Sequence, residues 1–384
     1  MNKENDMKKS FLTVICLLSV MALSACTNSD NGTAENNAVT LPMTDGKPVV
    51  IDEAETQEIS ENAEEAQSED VTETEASDID NAVSPAEYYI SSLKGPTTMG
   101  MAKLMSDSEN DLTANKYNVS IFGTADEIVA GVVSGSTDIA NVPANLAAVL
   151  YNKTEGAIDV AAVNTLGVLY VVTSGEEINS VADLKGKVVY STGKGTTPEY
   201  TLNYILEQNG LVPGEDVEVI DNIQFPLMGG AFEGGTGDYV TLFEPTASEF
   251  ASSGRGHIVA NVGLESGEVP YTTIMMSSKT IAEEPEFALS FVRAIYRAQQ
   301  WVKTASDEEV ARAMQPFFPD SSIETLSAVA NSYRATDSWM YSPAMSEDAF
   351  TRLQDIIEAA GELSARVEFG SLVDNSFADK VMGE

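Results

Sequence analysis

The stretch that decides the expected fold is Ser191–Leu206, which reads S-T-G-K-G-T-T-P-E-Y-T-L-N-Y-I-L. It follows a short apolar strand, Val188–Tyr190, and turns on two glycines. Thr197 suits the N-cap of a helix and Pro198 suits its first position. The stretch therefore predicts a strand, a turn and a helix whose N-terminus favours an anion or a polar ligand. The alternative is an ordinary strand-to-helix loop without a ligand. Other features of the sequence are needed to distinguish a binding site from such a loop.

The N-terminus has the pattern of an exported lipoprotein. Two lysines precede the apolar run Phe11–Leu23, which is too short to span a bilayer comfortably. The run leads into L-S-A-C ending at Cys26, which resembles the bacterial lipobox, whose cysteine is lipidated and becomes the mature N-terminus. Residues 1–26 are therefore predicted to be a lipoprotein signal peptide, with the protein anchored by lipid to the outer face of the cell membrane. A simple secretory signal with an incidental cysteine is the alternative.

The small numbers of cysteines and histidines limit the disulfides and metal sites that the protein can form. The chain has 2 Cys, of which Cys16 lies inside the apolar run and Cys26 at the predicted cleavage point, and 1 His, His257. The mature protein is thus expected to hold no disulfide, and zinc or copper sites built from His and Cys are effectively excluded. We expect neither a metal nor a cofactor. Either Met1 or Met7 is the start.

The net charge of -39 is unevenly distributed. Residues 27–86 contain 16 Asp and Glu against a single basic residue, Lys47, and few aromatics. Such a segment cannot bury enough apolar surface to fold, so it is predicted to be a disordered acidic tether. The acidity also argues against nucleic acid as a partner.

From residue 87 onward, apolar strands alternate with amphipathic helices, which predicts parallel sheets covered on both faces. Two segments, 130–145 and 230–247, repeat one pattern: a helix, a Gly/Ser/Thr turn, an Asp-led strand and a proline opening the next helix. Two lobes built on one plan would give this repeat. Near the C-terminus, Glu283–Ala305 has apolar residues at helical spacing and is predicted to pack across a lobe.

Polar residues follow four of the predicted strands, at Thr97–Thr98, Asn141–Asn145, Thr196–Thr197 and Glu244. Ligands of doubly wound sheets bind beyond the carboxyl ends of strands, so these residues are expected to meet across one cleft. Helix capping alone also selects Thr and Asn at such positions. A carboxylate between Phe243 and Pro245 is harder to explain, because its burial is costly unless it is paired or used.

The blocks Gly95–Gly100, Thr137–Ala147, Val181–Asn209 and Phe243–Pro245 resemble the substrate-binding proteins of bacterial ABC importers, in the subgroup for nitrate, sulfonate, taurine and thiamine precursors (the NMT1/THI5-like family). The resemblance implies an α/β, type II periplasmic-binding-protein fold with two doubly wound lobes and a two-strand hinge. Residues 87–172 and 275–384 would form lobe 1, and residues 173–274 lobe 2. It also implies a small-molecule ligand, an ABC permease as partner and a lipid tether. We expect a monomer.

The ligand itself stays open between two classes. A helix N-terminus with threonine hydroxyls suits a sulfonate or another oxyanion, whereas a glutamate near two tyrosines suits a heteroaromatic amine such as a pyrimidine. The absence of arginine among the candidate residues favours the second class. The candidates for ligand binding are Thr97, Thr98, Met99, Asn141, Asn145, Thr196, Thr197, Tyr200, Glu244 and Tyr271.

Two other functions compete with transport. The same family includes a thiamine-pyrimidine synthase, but that resemblance implies histidine and cysteine chemistry that this chain lacks. The sequence also lacks the G-x-S-x-G elbow of α/β-hydrolases and the P-loop motif, so we predict that the protein is not an enzyme. A sensory or adhesive surface lipoprotein stays open, because binding lobes are reused in receptors.

Overall fold

A computed structural model of the chain describes residues 85–384. The predicted signal peptide, Cys26 and nearly all of the acidic tether lie outside these residues and stay predictions. Within the described part, none of the helices combines the length and the apolarity needed to cross a membrane.

The described residues form two five-stranded sheets flanked by helices. In chain order the strands are β1 (Glu87–Leu93), β2 (Lys116–Phe122), β3 (Ile139–Pro143), β4 (Ile158–Thr165), β5 (Tyr170–Thr173), β6 (Val188–Tyr190), β7 (Glu218–Ile220), β8 (Tyr239–Leu242), β9 (His257–Asn261) and β10 (Thr272–Ser277). The helices are α1 (Pro96–Met99), α2 (Ala102–Glu109), α3 (Ala125–Ser134), α4 (Asn145–Lys153), α5 (Thr197–Gln208), α6 (Met228–Glu233), α7 (Thr246–Ser252), α8 (Val262–Ser266), α9 (Ser278–Glu283), α10 (Pro285–Thr304), α11 (Asp307–Met314), α12 (Ile323–Ala335), α13 (Glu347–Ala359), α14 (Phe369–Leu372) and α15 (Ser376–Met382).

The two sheets have one topology. The first has the order β2-β1-β3-β10-β4 and the second the order β7-β6-β8-β5-β9, so each strand of one has a counterpart in the other. The repeated sequence pattern places β3 and β8 at the centres of their sheets, which confirms that the lobes share one plan. The expectation of purely parallel sheets is wrong, because β10 runs antiparallel to β3 and β4, and β5 runs antiparallel to β8 and β9.

The lobe boundary differs from the one that the sequence predicts. The strand Tyr170–Thr173, predicted to lie in lobe 1, pairs with strands of the second sheet, because its backbone is hydrogen-bonded to β8 and β9. The return to the first sheet begins at Thr272 rather than at residue 275. The lobes are therefore joined by two segments, residues 166–169 and 262–271, together with the C-terminal helices.

The two connecting segments touch through bare backbone. A Cβ built on Gly167 would lie 2.1 Å from the Cα atom of Gly263, and one on Gly263 would lie 2.3 Å from the carbonyl oxygen of Gly167. The backbone N–H of Val262 donates to the carbonyl of Leu169 at 2.9 Å. Glycine is needed at both positions because any side chain would push the segments apart.

The C-terminal helices cover the first sheet and bridge the lobes. Helix α10 buries the predicted apolar face, including Phe287, Phe291 and Ile295. The predicted helix Glu283–Ala305 instead starts at Pro285, because α9 ends at Glu283 and proline opens the new helix. Helix α13 contacts both α4 of the first lobe and α5 of the second.

Candidate functional site

A cavity of about 750 Å³ separates the two sheets, and we call it the main cleft. The loops after all three parallel strands of each sheet line it: residues 93, 94, 96, 97, 123–126, 143 and 146 from the first, and residues 193–196, 198, 221–226 and Phe243 from the second. Val168, Tyr271 and Thr272 complete the lining from the connecting segments and β10. The strand-end loops of both sheets therefore converge on one cleft, but of the polar residues expected there only Thr97 and Thr196 line it, and Glu244 does not.

The walls of the main cleft are largely apolar. Leu146 and Val168 face it along with Ile223 from the second lobe. Phe225 and Phe243 meet edge to face, with ring centroids 5.0 Å apart and an interplanar angle of 80°. Apolar walls with a few fixed polar groups are the usual composition of a site for a small organic ligand.

The charged groups of the main cleft balance. Lys94 and Lys194 line it, as do Asp126 and Asp221. Lys194 Nζ lies 2.9 Å from Asp221 Oδ2, and their hydrogen bond raises the pKa of the lysine and lowers the pKa of the aspartic acid. Since this pair is neutral as a whole, the main cleft offers no net positive field for an anion.

The N-terminus of α5, from which the sequence analysis began, is occupied by protein groups. The backbone N–H of Thr197 donates to Asn145 Oδ1 at 3.1 Å, and Pro198 has no N–H. The carboxylate of Glu199 accepts the N–H of Gly195 at 2.6 Å, and burial raises its pKa. The strand, turn and helix are confirmed, but the N–H groups expected to be free for an anion are in part already used.

Asn145 and Thr197 form a buried contact between the lobes, which we call the lobe clasp. The hydroxyl of Thr197 donates to Asn145 Oδ1 and accepts from the backbone N–H of Asn145, each at 3.1 Å. The Asn145 amide nitrogen donates to the carbonyl of Gly195 at 3.3 Å. Both side chains are buried, so these two predicted site residues hold the lobes together rather than line the main cleft.

Three of the predicted site residues do line the main cleft: Thr97, Thr196 and Tyr271. Tyr271 is 1% exposed, and its hydroxyl has no hydrogen-bond partner among the described residues. Burial raises the pKa of this phenol, which the side chain of the nearby Thr201 partly offsets, so the phenol stays neutral.

Four further predicted site residues, Asn141, Thr98, Met99 and Tyr200, lie behind the residues that line the main cleft. The amide nitrogens of Asn141 and Asn164 both donate to the carbonyl of Thr97, at 2.9 and 2.7 Å, and so fix the loop after β1. The hydroxyl of Thr98 donates to the carbonyl of Leu93 at 2.7 Å. Met99 and Tyr200 are packed in the core. The role of these side chains is to position the lining.

Glu244 is buried but paired, as the cost of an isolated carboxylate requires. It is 2% exposed, and its carboxylate accepts the N–H of Ser248 at 3.0 Å and the hydroxyl of Ser248 at 2.8 Å. Burial raises its pKa, which the two hydrogen bonds from Ser248 partly offset. Glu244 lines a different cavity, behind Phe243, and not the main cleft.

Sequence reasoning missed the loop 221–226 and the ring of Phe225. This loop follows β7, which has only three residues, and it begins with the polar pair Asp221 and Asn222. The available signal was the position of the loop after a strand of the parallel set, because ligands of such sheets bind beyond the carboxyl ends of their strands.

Comparison with known proteins identifies the family of this chain. The chain matches the model of the NMT1-like family over residues 98–315. It is also 31% identical over 323 residues to a protein of Bacillus subtilis named putative binding protein YtlA, an alignment that covers 83% of this chain and 92% of that one. The chain belongs to the NMT1-like family.

Solved structures share the two-lobed architecture of this NMT1-like chain. They include a ligand-binding component of an ABC-type import system from Staphylococcus aureus with zinc bound (13% identity, TM-score 0.64, 77% of this chain and 99% of that one). The alkanesulfonate-binding protein SsuA from Xanthomonas axonopodis pv. citri bound to MOPS is 17% identical, with a TM-score of 0.61, and the match covers 76% of this chain and 99% of that one. The nitrate-binding protein NrtA from Synechocystis PCC 6803 is 14% identical, with a TM-score of 0.62, and the match covers 78% of this chain and 89% of that one. At these identities the likeness shows the fold, a type II periplasmic-binding-protein fold.

Proposed function

We propose that this protein is the solute-binding component of an ABC importer and captures a small heteroaromatic solute in the main cleft. The observation that carries the proposal is the convergence of all six parallel-strand loops on one cavity of about 750 Å³. A site built from two lobes can close on its ligand by hinge motion. The names of its relatives agree with this role, and an ABC permease is the implied partner.

The main cleft favours a flat, weakly polar solute over an oxyanion. Phe225 and Phe243 supply aromatic surface, and Tyr271 supplies a neutral hydroxyl that lacks a partner among the described residues. An anion would find the N–H of Thr197 already donated and Lys194 already paired. Sulfonate and nitrate, which two of the structural relatives bind by name, are therefore the second choice here.

The proposed location is the outer face of the membrane, with Cys26 as the lipid anchor and the acidic segment as a tether. The reason is the sequence pattern alone, since these residues lie outside the described part. The protein would act as a monomer. An enzymatic role like that of thiamine-pyrimidine synthase has little support, because His257 is exposed at the start of β9, outside the lining of the main cleft.

A thermal-shift screen of pyrimidines, sulfonates and nitrogen oxyanions tests the proposal. A ligand at about a hundred times its Kd should stabilise the protein by roughly 2.7 kcal/mol. The variant Leu146→Trp, which places a large side chain in the main cleft, should abolish the shift. Leu112→Trp makes the same change at a side chain that is 66% exposed and serves as the control.

Two results would count against the proposal. Equal stabilisation of the wild type and both variants would place the ligand outside the main cleft. Shifts with sulfonates or nitrate but none with heteroaromatic compounds would overturn the proposed ligand class and keep the transport role.

A further inference from the structure

A second cavity, of about 450 Å³, lies on the other side of the Phe225–Phe243 pair, and we call it the second chamber. It shares these two rings, Lys94 and Pro226 with the main cleft. The rest of its lining comes from the second lobe, from Gly95 and from the loop 317–321 between α11 and α12.

Two polar side chains of the second chamber, Thr192 and Glu244, are buried and incompletely paired. Thr192 is 1% exposed, and its hydroxyl has no hydrogen-bond partner among the described residues. The neighbouring hydroxyl of Thr241 accepts the backbone N–H of Thr192 at 2.8 Å. The Glu244 carboxylate takes two hydrogen bonds from Ser248, and the hydroxyl of Ser332 also lowers its pKa as a donor, which leaves about one of the roughly four acceptor positions of a carboxylate. A buried hydroxyl without a partner is costly, which points to an occupant that supplies one.

The remaining walls of the second chamber are aromatic. Phe225, Phe243, Phe250, Phe317 and Phe318 line it. The guanidinium of Arg255 already lies over the ring of Phe250, 4.9 Å from the centroid. Aromatic faces attract cations, and the face of Phe250 is already in contact with one, the Arg255 guanidinium.

The charge of the second chamber is negative. Its lining carries four carboxylates, on Glu233, Glu244, Glu249 and Asp320, against two cations, on Lys94 and Arg255. Arg255 is bound to Glu233, which leaves three carboxylates facing one exposed lysine. An anionic occupant is therefore disfavoured, and a cationic one is favoured.

We propose that the second chamber binds a small primary amine with an apolar body, its ammonium group held by Glu244 and Thr192 and its body held among the phenylalanines. A primary ammonium has three N–H donors, which match the free acceptor positions of the carboxylate and the hydroxyl. A neutral apolar occupant would leave the Thr192 hydroxyl without a partner and would add no hydrogen bond to the Glu244 carboxylate. The volume suits a compound of the size of an arylalkylamine. This site adjoins the main cleft at Phe225 and Phe243, has Glu244 and Thr192 outside that cleft, and goes beyond the solute-binding role proposed above.

The test is calorimetry on the full chain with two matched probes, benzylammonium and benzyl alcohol. They have the same ring and nearly the same size, and only one carries a charge. We expect benzylammonium to bind at least about tenfold more tightly, because hydrogen bonds to a buried charge are stronger than neutral ones. Equal affinities, or no binding of benzylammonium, would overturn the proposal without any mutation.

Variants locate the site. Glu244→Gln should lower the affinity for benzylammonium about tenfold or more, to the level of benzyl alcohol, and Glu207→Gln, an equal change of charge on the exposed face of α5, should leave it unchanged. If Glu244→Gln fails to fold, Thr192→Val gives the same test with a loss of about threefold or more. Unchanged affinity in the folded variants would contradict the assignment.

The main-cleft variant separates this proposal from the transport role. Leu146→Trp should retain benzylammonium binding while it loses the main-cleft ligand. Loss of benzylammonium in Leu146→Trp would place the amine in the main cleft, which overturns the second site and leaves the solute-binding role standing.

Discussion

The lobe clasp should contribute measurably to the stability of the whole molecule, and Asn145→Ala tests this. The substitution removes the acceptor of the Thr197 N–H and hydroxyl and the donor to the Gly195 carbonyl. Both side chains of the clasp are buried, so water cannot replace the acceptor that the N–H and hydroxyl of Thr197 lose, whereas the carbonyl of the exposed Gly195 can bind water. Each buried group left unpaired costs about 1–3 kcal/mol, so we expect a total loss of about 3 kcal/mol in the free energy of unfolding.

The assay is urea unfolding at neutral pH, with Asn152→Ala as the control. Asn152 lies on the same helix and donates one exposed hydrogen bond, to the carbonyl of Ala365 at 2.8 Å. Its loss should cost about 0.5 kcal/mol or less. A double-mutant cycle with Thr197→Val then measures the clasp itself, and we expect a coupling energy of about 1–3 kcal/mol. A loss in Asn145→Ala no greater than in Asn152→Ala, or strictly additive variants, would refute the reasoning.

Three further predictions concern the hinge, the buried acid and the anchor. Gly167→Ala should destabilise the protein by about 2 kcal/mol or more, because its Cβ would collide with the backbone of Gly263. The control Gly370→Ala should be tolerated, because its Cβ would meet nothing within 4 Å. Equal unfolding midpoints of the two variants would contradict this prediction. Burial raises the folded-state pKa of Glu244 above its ordinary 4.5, so its ionisation costs stability. The stability of the wild type relative to Glu244→Gln should therefore fall as the pH rises from 4.5 through the folded-state pKa, and parallel curves would count against the raised pKa. Metabolic labelling with a fatty acid should mark the wild type and not Cys26→Ala; labelling of both, or of neither, would remove the predicted anchor.

Local signals explain the part of the fold that could be predicted. The stretch after Val188–Tyr190 turns at Gly193 and Gly195, with φ angles of 78° and 72°, and begins a helix at Thr197. The predicted N-cap at Thr197 is wrong, because Thr196 holds that position and makes no side-chain cap hydrogen bond. Glycine and proline each act within a few residues, so the sequence alone indicates them. The repeat of one pattern around β3 and β8 likewise predicts two similar lobes.

Long-range choices could not be predicted in the same way. The apolar residues of β5 show a buried strand but not which sheet it joins, and the error in the lobe boundary follows from this. The clasp joins Asn145 to Thr197, 52 positions along the chain, and both have the sequence pattern of ligand contacts. A threonine or asparagine at a helix start has the same sequence signature whether it faces a ligand or another lobe. Phe225 was missed for a similar reason, because an aromatic residue in a loop looks like core.

The central claim is that both lobes hold one solute between the ends of their parallel strands. The most direct test is a crystal structure of the chain with the tightest compound from the screen. The account predicts density for the compound in the main cleft, in contact with Thr97 or Leu146 on one side and with Phe225 or Phe243 on the other. Density that touches a single lobe, or that lies on the outer surface, would contradict it.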